Sequence, residues 1–347
     1  PVEMFPETLA VSGRQVPYFR NDFFSDVMRN CDRMFRRTLG CEIDGYRSIV
    51  LTASGTGAME AVVINCLDAD DRAIVIDGGS FGHRFAQICE LHHIPHDVVS
   101  VPFEEALTPA MLAPFADDAH TALLVNLDET SIGKLYDLPM LSEFCKAHGM
   151  LLIVDAISSY LADPIDMADS GIDALIVSSQ KALSLSPGIS LVALSPRMVE
   201  EQIGRIACPS LYFDFTSALE NAERGQTPFT PAVGIVMELE EMLERICDVG
   251  VDEWISNTAL LAADFREKLV EVPVELPCYP LSNAVTPIIF PAGGAQECNR
   301  RLVEEFALTV NPCGGTRADT MSRVAHIGNH TREDNTELVD ALKTILG

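Results

Sequence analysis

The sequence predicts an α/β fold in which a large domain holds a mostly parallel, doubly wound sheet, followed by a smaller C-terminal α+β domain. Short β-branched runs alternate with helical patterns between residues 48 and 194. Runs such as Leu151–Val154 and Ala174–Val177 are apolar on both faces, which a strand tolerates only where helices cover both sides of its sheet. After about residue 230 this alternation gives way to longer amphipathic patterns.

The large domain is predicted over residues 1–250 as strands that alternate with helices. Its expected strands are Ser48–Thr52, Ala73–Asp77, Asp97–Val101, Ala122–Leu127, Met150–Asp155, Ala174–Ser178 and Ile189–Leu194. Its expected helices are Ala58–Leu67, Phe81–His92, Thr108–Phe115 and Met140–His148, each between two of these strands. The helical spacing of Val236, Leu239, Leu243 and Ile246 predicts one more helix near the end of the domain.

The small domain is predicted over residues 251–347. Leu261, Phe265 and Leu269 share one face of an expected helix. The remaining expected elements are a strand (Ala284–Phe290), a helix (Gln296–Phe306), a strand (Arg323–Ile327) and a final helix on which Leu338, Leu342 and Ile345 share a face. This order of strands and helices is typical of an α+β unit.

The composition excludes two classes of partner. The 347 residues include 51 acidic and 24 basic side chains, which gives a net charge of −27 at pH 7. Nucleic acids and anionic membrane surfaces attract basic proteins, so we expect neither partner. The sequence contains neither an apolar run of membrane-spanning length nor a signal-peptide pattern, and its ten cysteines form no Cys-x-x-Cys pair. We therefore expect a cytoplasmic protein with reduced, mostly buried thiols.

The stretch Ile49–Glu60 has the pattern of an anion-binding turn. An apolar strand runs into small residues, including Gly55 and Gly57, and then into a helix. Such a turn presents unpaired backbone N–H groups and the positive end of the helix dipole to an anion such as phosphate. Ser54 and Thr56 add hydroxyl donors. The alternative is an ordinary strand-to-helix turn with a Ser or Thr cap.

Two further side chains are candidates for catalysis. Asp155 ends a fully apolar strand, and ligands of open parallel sheets bind beyond the carboxyl ends of strands, although a turn or cap is the other explanation. Lys181 follows a buried strand and precedes a second apolar stretch, whereas Lys134 is expected in a loop and the other lysines on helices. Desolvation there favours an amine used covalently, and extension of the side chain to solvent is the alternative.

Together these three features are what pyridoxal 5′-phosphate requires. The turn supplies a phosphate anchor, Asp155 a partner for the protonated pyridine nitrogen, and Lys181 the amine of a Schiff base.

The sequence also resembles a known family, the class V, fold-type I pyridoxal-phosphate aminotransferases. The closest resemblance is to the branch of alanine/serine–glyoxylate and 2-aminoethylphosphonate–pyruvate transaminases. Five ordered motifs resemble those of the family: Ser54-Gly-Thr-Gly-Ala-Met-Glu-Ala61, Gly78-Gly-Ser-Phe-Gly-His-Arg84, Glu129-Thr-Ser-Ile-Gly133, Asp155-Ala-Ile-Ser-Ser159 and Ser179-Gln-Lys181. The resemblance covers nearly the whole chain. It departs at Pro1-Val2, where the family has a Pro-Gly-Pro turn, and at Ile132 and Ala325.

The resemblance implies roles for individual residues. Lys181 would carry the cofactor and move a proton, Asp155 would keep the pyridine nitrogen protonated, and Phe81 would stack on the ring. The residues implied at the phosphate are Ser54, Gly55, Thr56 and Gln180, and Thr130 would lie on the phenolic side. Arg323, in Ser322-Arg-Val-Ala-His-Ile-Gly328, would bind the substrate α-carboxylate.

The segment Thr227-Pro-Phe-Thr-Pro231 resembles a family segment that reaches the phosphate of the neighbouring subunit. The resemblance therefore implies a homodimer with composite sites that include Thr227 and Thr230. Considered without the resemblance, Thr230 before Pro231 is a typical helix start, so a simple cap is the alternative.

The expected function is transfer of an amino group from a small donor, of the alanine, serine or 2-aminoethylphosphonate type, to pyruvate or glyoxylate. A lyase or cysteine desulfurase of the same fold is one alternative, and a non-enzymatic Rossmann-like binding module is another. We expect no metal site: His92, His93 and His96 are close in sequence, but Pro95 breaks the helix that would align them.

Overall fold

A computed structural model describes residues 1–117 and 119–347 of the chain. The helices of this described part are α1 (Pro6–Ser12), α2 (Asp22–Thr38), α3 (Gly55–Cys66), α4 (Ser80–Leu91), α5 (Pro109–Leu112), α6 (Leu138–His148), α7 (Met167–Ser170), α8 (Pro196–Glu201), α9 (Phe215–Ala222), α10 (Val233–Val249), α11 (Val251–Lys268), α12 (Ala295–Phe306) and α13 (Arg332–Leu346). Its strands are β1 (Arg47–Leu51), β2 (Ala73–Asp77), β3 (His96–Ser100), β4 (Ala122–Asn126), β5 (Asp128–Glu129), β6 (Lys134–Leu135), β7 (Leu151–Asp155), β8 (Ala174–Ser178), β9 (Ser190–Leu194), β10 (Val285–Ile289), β11 (Asn311–Pro312) and β12 (Met321–Ala325).

The main sheet has the strand order β1-β9-β8-β7-β4-β2-β3. Four strand pairs, from β8 through β7, β4 and β2 to β3, are parallel, whereas β9 runs antiparallel to both β8 and β1. The predicted mostly parallel α/β sheet is therefore confirmed. Each predicted strand of this sheet matches an observed strand to within one residue at either end.

The sheet is buried on both faces, which explains its continuous apolar runs. Along β2, Ile74 and Ile76 pack into one hydrophobic cluster and Val75 into another. The first cluster includes the apolar faces of α2, α6 and α10, and the second includes those of α3 and α4. Helices therefore cover both sides, as the doubly wound arrangement requires.

The C-terminal region forms a second sheet of three antiparallel strands in the order β10-β12-β11. A separate hydrophobic cluster is built from side chains of α11, α12 and α13, together with Ile288 and Val324 of this sheet. The predicted strand Arg323–Ile327 is observed two residues earlier, as β12. Gly250, with φ 95°, separates α10 from α11. The division of the chain into domains at residues 250 and 251 stays a prediction.

Some elements lie outside the predicted ones. The long helix α2 packs its apolar face, with Phe24, Cys31 and Phe35, in the same core as α10. The helix α9 contributes Phe215 to the other core cluster. No helix in residues 1–117 or 119–347 has a stretch both long and apolar enough to span a bilayer.

Candidate active site

The carboxyl edge of the main sheet places polar side chains at the ends of two neighbouring strands. Asn126 ends β4, Asp155 ends β7, and the two residues are register partners. The Asp155 carboxylate accepts hydrogen bonds from Asn126 Nδ2 at 2.8 Å and from the Ile157 N–H at 2.9 Å. Burial raises the pKa of Asp155 to about 6 in spite of these two bonds. The two donors therefore fix the orientation of the Asp155 carboxylate at a position that is shielded from water.

Lys181 lies at the same edge, three residues beyond the end of β8, which pairs with β7. Burial lowers the pKa of its amine, while the charges of Asp128 and Asp155 raise it. In turn, the charge of Lys181 lowers the pKa of Asp155. Lys181 and Asp155 are therefore electrostatic neighbours on one edge of the sheet. Desolvation favours the neutral form of the Lys181 amine, which is the nucleophilic form.

The turn before α3 presents its donors to solvent. Ser54 is the N-cap of α3, and its Oγ accepts the Gly57 N–H at 3.4 Å. Thr56 Oγ1 accepts from Arg84 Nη1 at 3.0 Å. A Cβ at Gly55 would lie 2.4 Å from Ile157 Cδ1, so glycine lets this turn approach the segment after Asp155 without displacing the Ile157 side chain. The cap alternative is therefore observed at Ser54, and Arg84 brings a cation to the same turn; anion binding there stays a prediction.

Hydrogen bonds connect Gln180 to this turn. Gln180 Oε1 accepts from Ser178 Oγ at 2.7 Å, and Ser190 Oγ lies 3.1 Å from both Ser178 Oγ and the Ala53 carbonyl oxygen. The structure therefore brings Gln180 and the Ser54–Thr56 turn together through two serines of the antiparallel strands. These serines were not candidates from the sequence, because pairing of β8 with β9 is required to bring them together.

Phe81 and Thr130 are held by one loop. The Glu129 carboxylate accepts the backbone N–H groups of Phe81 and Gly82 in the first turn of α4. Thr130 Oγ1 lies 2.5 Å from Ser158 Oγ, in the segment that follows Asp155. The guanidinium of Arg84 lies 4.9 Å over the Phe81 ring. One edge of the candidate site is therefore built from two elements that share a buried carboxylate.

Arg323 lies next to the same loop, on β12. Its Nη1 donates to the Thr130 carbonyl at 2.8 Å and its Nη2 to the Pro312 carbonyl at 3.0 Å, while its buried Nε has no partner in the described chain. Three further bonds reach the loop from the C-terminal region: Cys313 Sγ to the Ser131 carbonyl, Tyr279 Oη to the Ile132 carbonyl, and the Ser282 N–H to the Gly133 carbonyl. Four consecutive carbonyl groups, those of residues 130–133, thus accept bonds from residues 279–323.

Thr227 and Thr230 lie at the surface, not in the site of their own chain. Thr227 Oγ1 donates to the Phe229 carbonyl at 2.7 Å, and Thr230 is exposed. The helix-start alternative for Thr230 is wrong, because α10 begins at Val233 with Ala232 as its N-cap. The neighbouring Phe229 ring stacks on Tyr212 at 5.4 Å, and both rings are partly exposed.

Sequence reasoning missed Asn126, Asp128 and Lys134. Asn126 had a visible signal, since it is a polar residue at the end of a buried strand. Asp128 is fully buried, and neither carboxylate oxygen has a hydrogen-bond partner in the described chain. The expectation of a loop at Lys134 is wrong: the side chain is fully buried on β6 and donates to the Pro102 carbonyl at 2.7 Å. Burial lowers its pKa to about 8.

The histidines near residue 93 have other partners. His92 Nε2 lies 2.8 Å from Glu60 Oε1, and His96 Nδ1 lies 3.0 Å from the Ile94 carbonyl oxygen. Residues 1–117 and 119–347 contain no group of three or more side chains arranged to hold a metal ion.

Comparison with known proteins identifies one family. A family model described as Aminotransferase class-V matches residues 13–293. A protein from Synechococcus named soluble hydrogenase, small subunit, is 30% identical over 307 residues, which cover 86% of this chain and 79% of that protein. The L-aspartate–glyoxylate aminotransferase of Paracoccus denitrificans is 27% identical over 328 residues, which cover 86% of this chain and 80% of that enzyme. The 2-aminoethylphosphonate–pyruvate transaminase of Vibrio vulnificus is 34% identical over 237 residues, which cover 66% of this chain and 64% of that enzyme.

Solved structures give the same result. The aspartate aminotransferase of subgroup IV from Thermus thermophilus superposes with a TM-score of 0.91 at 25% identity, covering 100% of this chain and 97% of that one. The likeness extends over both sheets.

Proposed function

Because this chain belongs to the class V aminotransferase family, we propose that it uses pyridoxal 5′-phosphate to transfer an amino group from a small donor to glyoxylate or pyruvate. The observation that carries the proposal is the meeting of Lys181, Asp155 and the Ser54–Thr56 turn at the carboxyl edge of one sheet. These are the three groups that the cofactor requires: an amine, a partner for its ring nitrogen and a phosphate anchor.

The residues present fit this cofactor. Burial lowers the pKa of the Lys181 amine, which favours its neutral form. Asp155 is oriented by two donors and lies beyond the strand end, where an open α/β sheet binds its ligands. Ser54, Thr56 and Gln180 supply polar groups around the N-terminus of α3, where backbone N–H groups and the helix dipole favour phosphate.

The bound cofactor would supply an electron sink for the carbanion at the substrate α-carbon. Lys181 Nζ would hold the cofactor and move the proton at that carbon, for which a lowered amine pKa is favourable. Asp155 would keep the pyridine nitrogen protonated. Phe81 would cover the ring face, and Thr130 would lie on the phenolic side. Arg323 would bind the α-carboxylate through its planar pair of donors.

The names of the relatives support the substrate class. Glyoxylate and pyruvate occur as acceptors in the names of the Paracoccus and Vibrio enzymes, and their named donors are L-aspartate and 2-aminoethylphosphonate. We therefore extend the expected donors, of the alanine, serine or 2-aminoethylphosphonate type, to amino acids that carry a second acidic group.

We further propose a cytoplasmic homodimer with composite sites. Support for the dimer comes from the half-buried Thr227 and the exposed Thr230 and from the exposed aromatic stack beside them. A partner subunit would cover this apolar surface and receive the two hydroxyl groups at its phosphate. The ten free cysteines are consistent with a reducing compartment.

Borohydride trapping tests the cofactor assignment. Protein saturated with pyridoxal phosphate is reduced and digested, and the modified peptide is identified by mass spectrometry. We expect the modification on Lys181, its loss in Lys181→Ala and its retention in the control Lys146→Ala. Wild-type protein that takes up no cofactor, or takes it up at another lysine, would contradict the proposal.

Kinetics with paired substrates test the reaction. Alanine, serine, aspartate and 2-aminoethylphosphonate are each supplied with glyoxylate or pyruvate, and the amino product is quantified. We expect product only when both a donor and a 2-oxo acid are present. Release of sulfide from cysteine without any 2-oxo acid would instead identify a desulfurase.

A further inference from the structure

The Glu129 carboxylate caps the beginning of α4 from another segment of the chain. The N-cap residue of this helix is Gly79, which has no side chain to cap it. Glu129, from a distant segment, accepts the Gly82 N–H at 2.8 Å and the Phe81 N–H at 3.3 Å. It is fully buried. A carboxylate here satisfies unpaired helix donors and is stabilised by the positive end of the helix dipole.

The same carboxylate also binds its own loop. Glu129 Oε1 accepts the Ser131 N–H at 3.3 Å and the Ser131 hydroxyl at 2.5 Å. One side chain therefore receives four donors, two from α4 and two from the loop. Since a charge-assisted hydrogen bond is about twice as strong as a neutral one, this cluster fixes the two segments against each other.

The backbone around Glu129 is packed too closely for side chains. A Cβ at Gly79 would lie 2.6 Å from Glu129 Cδ and 2.4 Å from Ser131 Oγ. A Cβ at Gly82 would lie 2.3 Å from the Ile76 carbonyl oxygen. Gly79 therefore allows the start of α4 to approach the carboxylate, and Gly82 allows the same turn to lie against β2.

Residues with proposed functions flank each set of donors. Phe81, whose N–H binds Glu129, carries the ring proposed to cover the cofactor. Thr130 follows Glu129 directly, and its carbonyl accepts Arg323 Nη1 at 2.8 Å. Glu129 therefore stands between the ring-stacking residue, the residue on the phenolic side and the arginine of the substrate carboxylate.

On the basis of the proposed function, we infer that Glu129 is a positioning residue that holds the Phe81 ring over the cofactor, with the loop of Thr130 and Ser131 as the fixed point to which the first turn of α4 is tied. In this role Glu129 acts through the residues it holds and not by contact with the cofactor or the substrate. Its effect passes through the Phe81 backbone, so loss of the carboxylate matters for cofactor binding only as long as the Phe81 ring is there to be positioned.

A double-mutant cycle tests this route. Glu129→Gln keeps the size of the side chain but replaces one acceptor oxygen with an NH2 group that faces other donors. Phe81→Leu removes the ring. The dissociation constant of pyridoxal phosphate is measured for the wild type, both single variants and the double variant. We expect about a tenfold weakening in Glu129→Gln, from the loss of a charge-assisted bond, and no further weakening when it is added to Phe81→Leu.

The cycle separates positioning from general stabilisation. If Glu129 only stabilises the fold, the two effects multiply, and the inference is overturned. Ser131→Ala, which removes one donor and keeps the carboxylate, is the milder second variant, and its effect is expected to vanish in the Phe81→Leu background as well. Glu90→Gln on the exposed side of α4 is the matched control and should leave the dissociation constant unchanged.

Amide hydrogen exchange of the cofactor-free protein keeps this test independent of the proposed function. Glu129→Gln should accelerate exchange in the first turn of α4 and in residues 130–133 together, because one carboxylate holds both. Acceleration in only one of the two segments would overturn the inference, whether or not the wild type binds pyridoxal phosphate. A wild type that binds no pyridoxal phosphate would overturn the proposed function but not the role of Glu129 in holding the two segments.

Discussion

The Asp128 carboxyl group is the least satisfied polar group near the candidate site. Its two oxygens are buried without a hydrogen-bond partner in the described chain, and burial, followed by the charge of Asp163, raises its pKa well above the ordinary value. A buried polar group of this kind costs stability. When it is ionised, Asp128 raises the pKa of the neighbouring Lys181 amine.

Asp128→Asn should stabilise the cofactor-free protein, and the gain should grow with pH. The wild type stays protonated when folded but ionises near pH 4 when unfolded, so it loses about 1.4 kcal/mol of stability per pH unit above that value, until the pH reaches the raised pKa. Asparagine does not titrate. Urea unfolding at pH 5 and pH 7 measures the difference between the variants. An equal gain at both pH values would show that Asp128 is ionised in the folded chain.

Arg323→Lys should raise KM for the 2-oxo acid by about tenfold to a hundredfold, with a smaller change in kcat. A lysine cannot reproduce the planar pair of donors, and the loss of one charge-assisted hydrogen bond costs about 1.5–3 kcal/mol. Steady-state kinetics measure the split between KM and kcat. Arg300→Lys on the surface of α12 is the control, and an unchanged KM in Arg323→Lys would place the substrate carboxylate elsewhere.

At the scale of the element, α4 is held by backbone contacts that side-chain substitution cannot preserve. Its first turn lies against β2, where a Cβ at Gly82 would overlap the Ile76 carbonyl oxygen. The helix therefore enters the sheet at a spacing that only glycine permits, and the Phe81 ring is carried on that turn.

Gly82→Ala should lower the free energy of unfolding by about 2 kcal/mol or more, because the obstacle is backbone and cannot rotate away. Gly234→Ala on α10 is the matched control. Its Cβ would lie 3.3 Å from a Val16 methyl group, and alanine gains up to about 1 kcal/mol in a helix. Thermal unfolding of both variants measures the contrast, and equal effects would contradict the close packing of α4.

The elements also show how far the sequence predicts the fold. The strands of the main sheet were located to within one residue because each is an apolar run bounded by polar residues. The antiparallel direction of β9 cannot be predicted from such a run, because a buried apolar strand has the same sequence pattern whether it runs parallel or antiparallel to its neighbours. Helix α2 carries apolar residues at helical spacing, including Phe24, Val27 and Cys31, so its signal was present and lies outside the predicted elements.

For the candidate site, too, the sequence predicts what depends on local pattern and not what depends on tertiary contacts. Asp155 and Lys181 stand out as polar residues beside apolar runs, and that local contrast is readable from the sequence. The function of Glu129 is not, because it depends on which helix begins next to it. The expectation of a loop at Lys134 is wrong because its strand is two residues long and is formed by pairing with β5 and by a bridge to Leu281.

At the scale of the whole molecule, the surface near Thr227 exposes large apolar side chains where the proposed subunit interface would lie. Leu211 is 84% exposed there, next to the partly exposed Tyr212 and Phe229. Copies of a chain with a net charge of −27 repel each other, and in the proposed dimer burial of these apolar side chains would oppose that repulsion.

Leu211→Asp should convert the proposed dimer to a monomer and weaken pyridoxal phosphate binding, although no candidate site residue is changed. The reason is that the partner's Thr227 and Thr230 hydroxyl groups would be lost from each phosphate. Sedimentation velocity measures the mass. Val270→Asp, at a residue 85% exposed on the C-terminal region, is the control and should remain dimeric. A dimeric Leu211→Asp variant would move the interface to another face.

The four carbonyl groups of residues 130–133 also affect how the chain matures. A ribosome completes this loop long before it reaches Tyr279, Ser282, Cys313 and Arg323, which supply the donors. Until then these four carbonyl groups have only water as their partner, even where the first strands have already paired. In the proposed enzyme, the loop beside the cofactor would therefore gain its last bonds near the end of translation, after the sheet that carries the site.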